Sequence, residues 1–171
     1  MIIAFDSSTL ILLQKIKLLD LIVQRNQVIV SGGVYKETIL KGLEKNYLDA
    51  IELNEKIKNN LIRVIKITNQ NKLEEIQKNF NLARGEAETI ILHEQEKTDL
   101  IALDDLKALK YCDYYKILFI TAINFVINYY KQKLINKNEA LDMIKNLAKF
   151  GRYKEGIIFY ALEIVGGKNE W

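Results

Sequence analysis

Short apolar runs with no polar interruption constrain this chain most. Ile2-Ile3-Ala4-Phe5, Val28-Ile29-Val30 and Leu100-Ile101-Ala102-Leu103 lack the two-residue alternation of a half-exposed strand, so strands built from them need burial on both faces. Helical stretches separate the runs: Leu10 to about Lys17 continuing through Leu18 to Val23, then Val34 to Ile39, Leu43 to Lys58, Leu73 to Phe80 and Arg84 to about Glu96. Strands buried on both sides and joined by helices call for a parallel sheet with helices on both faces. Leu61 to Ile67 alternates in part and reads as a third strand nearer a sheet edge, and Ile117-Leu118-Phe119-Ile120 reads as a fifth. Ser31-Gly32-Gly33 closes the second strand, and the glycine pair reads as a tight strand-to-helix turn. After Thr121 the pattern is helical, over about 122–133, 137–150 and 153–165, with Gly151 and Gly166-Gly167 as stops. The expectation is a single α/β domain over 1–171. A three-layer α/β/α core with a central, mainly parallel five-stranded sheet occupies 1–120, and C-terminal helices occupy 121–171.

Four acids fall where such a fold gathers ligands. Asp6 and Asp104 each end a strand, whereas Glu37 and Glu86 sit near the starts of helices. Strand carboxyl ends and the amino ends of the following helices share one edge of a parallel sheet. Carboxylates brought together there repel one another unless a cation lies between them, which points to magnesium or manganese. Each acid alone has a plainer reading as a helix cap or a favourable charge near a helix start. In the doublet Asp104-Asp105 one carboxylate can cap while the other points into the cleft, and the order is open. Glu86 and Glu88 fall on opposite rims of the apolar stripe Ala87, Ile90 and Ile91, so periodicity does not choose between them.

The bulk properties restrict the setting. Hydrophobic residues at 49% and charged residues at 27% suit a globular protein, and a net charge of +3 permits nucleic-acid binding without a dense basic stripe. Cys112 has no partner for an internal disulfide, there is no basic leader, and no apolar run nears the roughly 20 residues of a membrane span. A cytoplasmic protein without membrane contact is expected. His93 reads as a packing or surface residue and Cys112 as a small apolar one. Candidate guides for a phosphate backbone are Lys15, Lys17, Arg84, Lys107 and Lys110, and Tyr35, Tyr111, Tyr114 and Tyr115 are candidates for base stacking. Tyr129, Tyr130, Phe159 and Tyr160 offer apolar area for a second copy or another protein.

Four segments in order carry a family resemblance: Phe5-Asp6-Ser7-Ser8-Thr9-Leu10-Ile11, Val34-Tyr35-Lys36-Glu37, Ala83-Arg84-Gly85-Glu86-Ala87-Glu88-Thr89-Ile90 and Leu103-Asp104-Asp105-Leu106-Lys107. They resemble the successive motifs of PIN-domain proteins, and Asn146 to Tyr153 with the helix after it is similar to the tail of small PIN proteins. The resemblance implies a ribonuclease that uses Mg²⁺ or Mn²⁺, of the kind found in VapC-type toxins and RNA-processing factors. It implies RNA as substrate, an antitoxin protein as a partner of a toxin, and a homodimer. Carried over by position, Asp6, Glu37, Glu86, Asp104 and Asp105 are the catalytic acids, with Asp6, Glu86 and Asp104 on the metal. Ser8 supports the first acid, and Ser8, Arg84, Lys107 and Thr121 face the substrate. Many relatives have an arginine after the Asp-Asp pair where this chain has Lys107 and Lys110, which carry charge but no bidentate fork. The competing expectation is a non-catalytic module that binds RNA or protein through a retained acidic pocket. Haloacid-dehalogenase-like phosphatases want a second Asp where Ser8 stands, and receiver domains want a lysine where Thr121-Ala122 stands.

Overall fold

The first strand in the chain is the middle strand of the sheet. In the computed structural model, which describes residues 1–167, β1 (Ile2–Phe5) lies between β2 (Gln27–Ser31) and β4 (Leu100–Ala102). The edges are β3 (Ile62–Ile65) and β5 (Phe119–Ile120), giving the order β3-β2-β1-β4-β5 with every pairing parallel. Ala4 is in register with Ile29 on one side and Ile101 on the other. These three residues belong to a buried cluster with Leu73, Ile76, Ile90 and Tyr111. Strand alternation turns Ile3, Phe5, Val28 and Val30 to the opposite face, where they are equally buried. Both faces are therefore covered, as the unbroken apolar runs require.

The helices are α1 (Ser7–Lys15), α2 (Leu19–Arg25), α3 (Gly32–Tyr35), α4 (Lys41–Glu44), α5 (Leu48–Lys58), α6 (Gln70–Phe80), α7 (Arg84–Glu96) and α8 (Leu106–Tyr114). A π-helical turn, Lys36–Leu40, joins α3 to α4. Residues Met1–Ile120 form one compact unit and the described residues from Thr121 onward another. Within the second, α9 (Ala122–Lys131), α10 (Lys137–Phe150) and α11 (Glu155–Gly166) pack on one another. Asn136 and Glu139 form a reciprocal capping box at the start of α10, and Gly167 ends α11 at φ 77°. Phe159 and Tyr160 are exposed, whereas Tyr129 is buried. No helix among the described residues is long and apolar enough to cross a membrane.

Several boundaries differ from the sequence expectation for one shared reason. Leu61 and Ile117 are apolar and were expected in strands, but each closes the helix before it, with Leu61 N donating to Lys56 O and Ile117 N to Cys112 O. Lys17 splits the expected long first helix into α1 and α2 by adopting φ 61°. Lys17, Asn46, Asn60, Asn81, Lys97, Lys116 and Lys133 all take left-handed backbone conformations, so asparagine and lysine fill the role usually given to glycine. The glycine pair forms the expected tight strand-to-helix turn, with neither residue at positive φ. Gly32 and Gly33 are the first residues of α3, capped by Ser31, whose hydroxyl accepts from Val34 N at 3.1 Å.

Candidate metal centre and adjoining cleft

Asp6 leaves β1 and caps α1. Its Oδ1 accepts from Thr9 N at 2.9 Å and its Oδ2 from the Ser8 hydroxyl at 2.6 Å. The carboxyl is buried, and burial pushes its pKa from 3.8 up to about 6. The Ser8 and Thr9 hydrogen bonds oppose that rise, and the charge of Asp104 adds to it. Thr9 also reaches the neighbouring strand, where its hydroxyl donates to Asp104 Oδ2 at 2.8 Å. One buried threonine thus holds both acids, one through its amide and the other through its side chain.

The doublet divides its duties. Asp105 is the N-cap of α8, with Oδ1 accepting from Lys107 N at 2.7 Å and Ala108 N at 3.1 Å. Asp104 is the member that turns toward β1. Glu37 lies in the π-helical turn and accepts from the Ser7 hydroxyl at 2.9 Å. Gly85 makes that approach feasible, because a Cβ there would stand 3.1 Å from Glu37 Oε2 and 3.4 Å from Ser7 Oγ. Glu86 folds back on its own helix, its Oε2 accepting from Ala83 N at 2.9 Å. Burial raises the Glu86 pKa, the Ala83 hydrogen bond and Lys107 oppose the rise, and the charges of Asp105 and Glu37 support it.

Asp6 and Asp104 thus share Thr9, whereas the charges of Asp105 and Glu37 act on Glu86. Among the described residues no group of three or more His, Cys, Asp or Glu side chains stands close enough to hold a metal ion together. Magnesium takes one or two carboxylates and completes its octahedron with water and phosphate oxygens. Asp6 and Asp104, tied to a common residue and mutually repelling, suit that donor set. Thr121 caps α9, its Oγ1 accepting from Asn124 N at 3.3 Å, and belongs to the second compact unit.

Glu88 was not expected among the functional residues, yet it is buried at the rim of this edge. Its Oε2 accepts from Gly33 N at 2.8 Å and its Oε1 from Arg84 Nε at 2.8 Å. Burial alone would raise its pKa. The hydrogen bonds from Arg84, Ser31 and Gly33, with the Arg84 charge, more than offset this and hold it below the ordinary carboxylate range. A Cβ at Gly33 would lie 2.2 Å from Glu88 Oε2, so any larger residue would have to displace the Glu88 carboxylate from its hydrogen bonds.

A cleft of about 470 Å³ opens beside Glu37, lined by Gly33, Lys36, Lys41, Arg84, Gly85 and Glu88. Arg84 is expected here from the sequence; Lys36 and Lys41 are not, because each has the sequence surroundings of an ordinary solvated lysine. Lys107 is exposed, near Glu86, and its Nζ donates to Asn81 O at 3.4 Å. Lys15 at the end of α1 and Lys17 just after it face acids on α5, Asp49 at 3.9 Å and Glu52 at 2.7 Å. His93 Nδ1 contacts Thr98 Oγ1 at 2.8 Å, with its pKa lowered by burial. Cys112 is buried and its thiol is pushed up to about 12 by that burial, which makes it inert as a nucleophile.

An open parallel sheet whose strand order reverses beside β1, with carboxylates at the reversal, defines a three-layer α/β/α protein with a ligand edge. The family model described as DUF3368: PIN domain matches residues 2–162, and the chain belongs to the PIN-domain family. PIN domains are commonly nucleases, generally use divalent metals and generally bind nucleic acids. Comparison with curated proteins and with solved structures gave no match.

Proposed function

We propose that this protein is a Mg²⁺- or Mn²⁺-dependent endoribonuclease that hydrolyses RNA phosphodiester bonds. The observation that carries the reading is the Thr9 bridge, which holds Asp6 and Asp104 side by side across two adjacent strands. Asp6 and Asp104 would hold the ion. When bound, such an ion supplies a water of lowered pKa and stabilises charge on the phosphate oxygens. Ser8 and Thr9 fix the Asp6 carboxylate from two sides, which makes its geometry independent of substrate. Asp105 spends Oδ1 on two backbone amides, so Glu37, held by the Ser7 hydroxyl, is the better acceptor for a proton leaving the attacking water. Glu86 contributes negative charge between these residues and Lys107. Arg84 and Lys107 supply positive charge for the substrate's phosphates.

The family resemblance extends the proposal to a toxin with an antitoxin protein as partner. Exposed Phe159 and Tyr160 on α11 offer contact area for that partner or for a second copy. Single-turnover cleavage of a mixed RNA pool in Mg²⁺, Mn²⁺ or EDTA tests the chemistry, with wild type compared to Asp6→Asn and Asp104→Asn. Cleavage should need the metal and fall about a hundredfold or more in either variant. Activity that survives chelation, or either substitution, refutes the proposal, and binding without cleavage favours the non-catalytic module.

A further inference from the structure

The cleft beside Glu37 does not end at Arg84. A second hollow of about 390 Å³ shares Gly33, Lys36, Arg84 and Glu88 with it and continues to Lys66 beyond β3. The two form one groove along the β2–β3 side of the sheet's carboxyl edge, and Glu37 marks its boundary with the acids. Lys36, Lys41 and Lys66 are exposed along it. Arg84 is also exposed, and its Nε is anchored by buried Glu88, which fixes the direction of the guanidinium.

The backbone supplies a second reason to read the groove as a built feature. In an α-helix, residues five apart stand about 140° apart around the axis, so Lys36 and Lys41 would diverge. The π-helical turn instead closes a hydrogen bond from Lys41 N to Lys36 O, bringing the two residues to successive turns of one side. Both line the same cleft. Inserted π turns in α-helices recur at functional sites. Here the insertion aligns two cations.

We propose that Lys36, Lys41, Arg84 and Lys66 form a phosphate track for single-stranded RNA, carrying the strand away from the acids along the β2–β3 side. This rests on the nuclease reading only for the identity of the ligand, since the track binds without a metal. The test is fluorescence anisotropy of a labelled single-stranded RNA oligonucleotide in EDTA, titrated over a series of KCl concentrations. Each cation lost should reduce the slope of log K against log salt by about 0.7, so K36A/K41A/K66A should lower it by about 2 and weaken binding at least about tenfold. Arg84 stays in place in that variant because its ion pair is part of the fold. K58A/K116A, whose lysines pair with Glu55 and Asp113 elsewhere, serves as the control and should leave slope and affinity unchanged. Acylation footprinting of the wild type needs no variant, and bound RNA should protect Lys36, Lys41 and Lys66. An unchanged slope in the triple variant, equal loss in the control, no protection, or no RNA binding by the wild type overturns the track. Protection of these lysines in a protein that cleaves nothing with Mg²⁺ or Mn²⁺ upholds the track and sinks the nuclease reading. Cleavage with an unaltered slope does the reverse.

Discussion

Replacing Asp6 by asparagine should make the metal-free protein more stable above neutral pH and not below pH 4. Asp6 is buried, and its carboxyl titrates at about 6 in the fold against 3.8 as its ordinary value. Between those values the unfolded chain has released the proton while the native state still binds it, so the stability of the wild type falls as pH rises through the window. Each tenfold change in the proton equilibrium is worth about 1.4 kcal/mol, which makes the accumulated cost on the order of 3 kcal/mol above pH 6. Asparagine carries no charge and avoids that cost. It retains a carbonyl to accept from Thr9 N, and it changes the Ser8 contact for a loss of about 1 kcal/mol at every pH. The expected signature is therefore a stability difference, variant minus wild type, that grows by roughly 2.4 kcal/mol from pH 4 to pH 7.5. Urea denaturation in EDTA at half-unit pH steps measures it. Millimolar Mn²⁺ at pH 7.5 should recover the lost stability in the wild type alone, because an ion that binds only the native state stabilises it by mass action. A difference that stays flat across the pH series would refute the reasoning, since the carboxyl would then be ionised without penalty.

Thr9→Val keeps the amide that caps with Asp6 but removes the hydroxyl on Asp104, so apparent Mn²⁺ affinity, read from the shift in melting temperature, should weaken about 10- to 100-fold. Gly33→Ala drives a methyl group into the Glu88 carboxylate and should cost about 1–3 kcal/mol in urea denaturation; a loss below 0.5 kcal/mol, set against that roughly expected range, would show that Glu88 moves aside easily. Lys97→Gly relieves a left-handed residue at φ 51° after α7 and should add about 0.5–1 kcal/mol, measured the same way.

The sheet was legible because its inner strands carry their burial in plain view. Ile2 to Phe5 and Leu100 to Ala102 have no polar face, and only a parallel sheet with two covered faces accommodates that. Leu61 and Ile117 misled because an apolar residue closing a helix looks locally the same as one opening a strand. The glycine pair was legible as the strand-to-helix turn, but not for its second duty. The demand on Gly33 comes from Glu88, a residue on another helix, and no local rule expresses a close approach between distant segments. At the site, the edge where the acids lie follows from strand and helix order alone. Which carboxylates couple does not, because it depends on Thr9 reaching Asp104 and on Glu86 turning back to cap its own helix. Lys36 and Lys41 stayed hidden for a related reason, since five-residue spacing implies one face only after the helix has slipped into a π turn.

The central position of β1 bears on when the acidic edge is completed during synthesis. On one side β1 pairs with the next strand in the chain, but its other neighbour is β4, Ile3 beside Leu100. Such a distant partner is joined only after the intervening loop entropy has been spent. A nascent chain can lay down β1, β2 and β3 on the ribosome while Asp6 still waits for Asp104. The pairing of the two aspartates through Thr9 is thus completed only once synthesis has passed the second of them, a delay built into strand order.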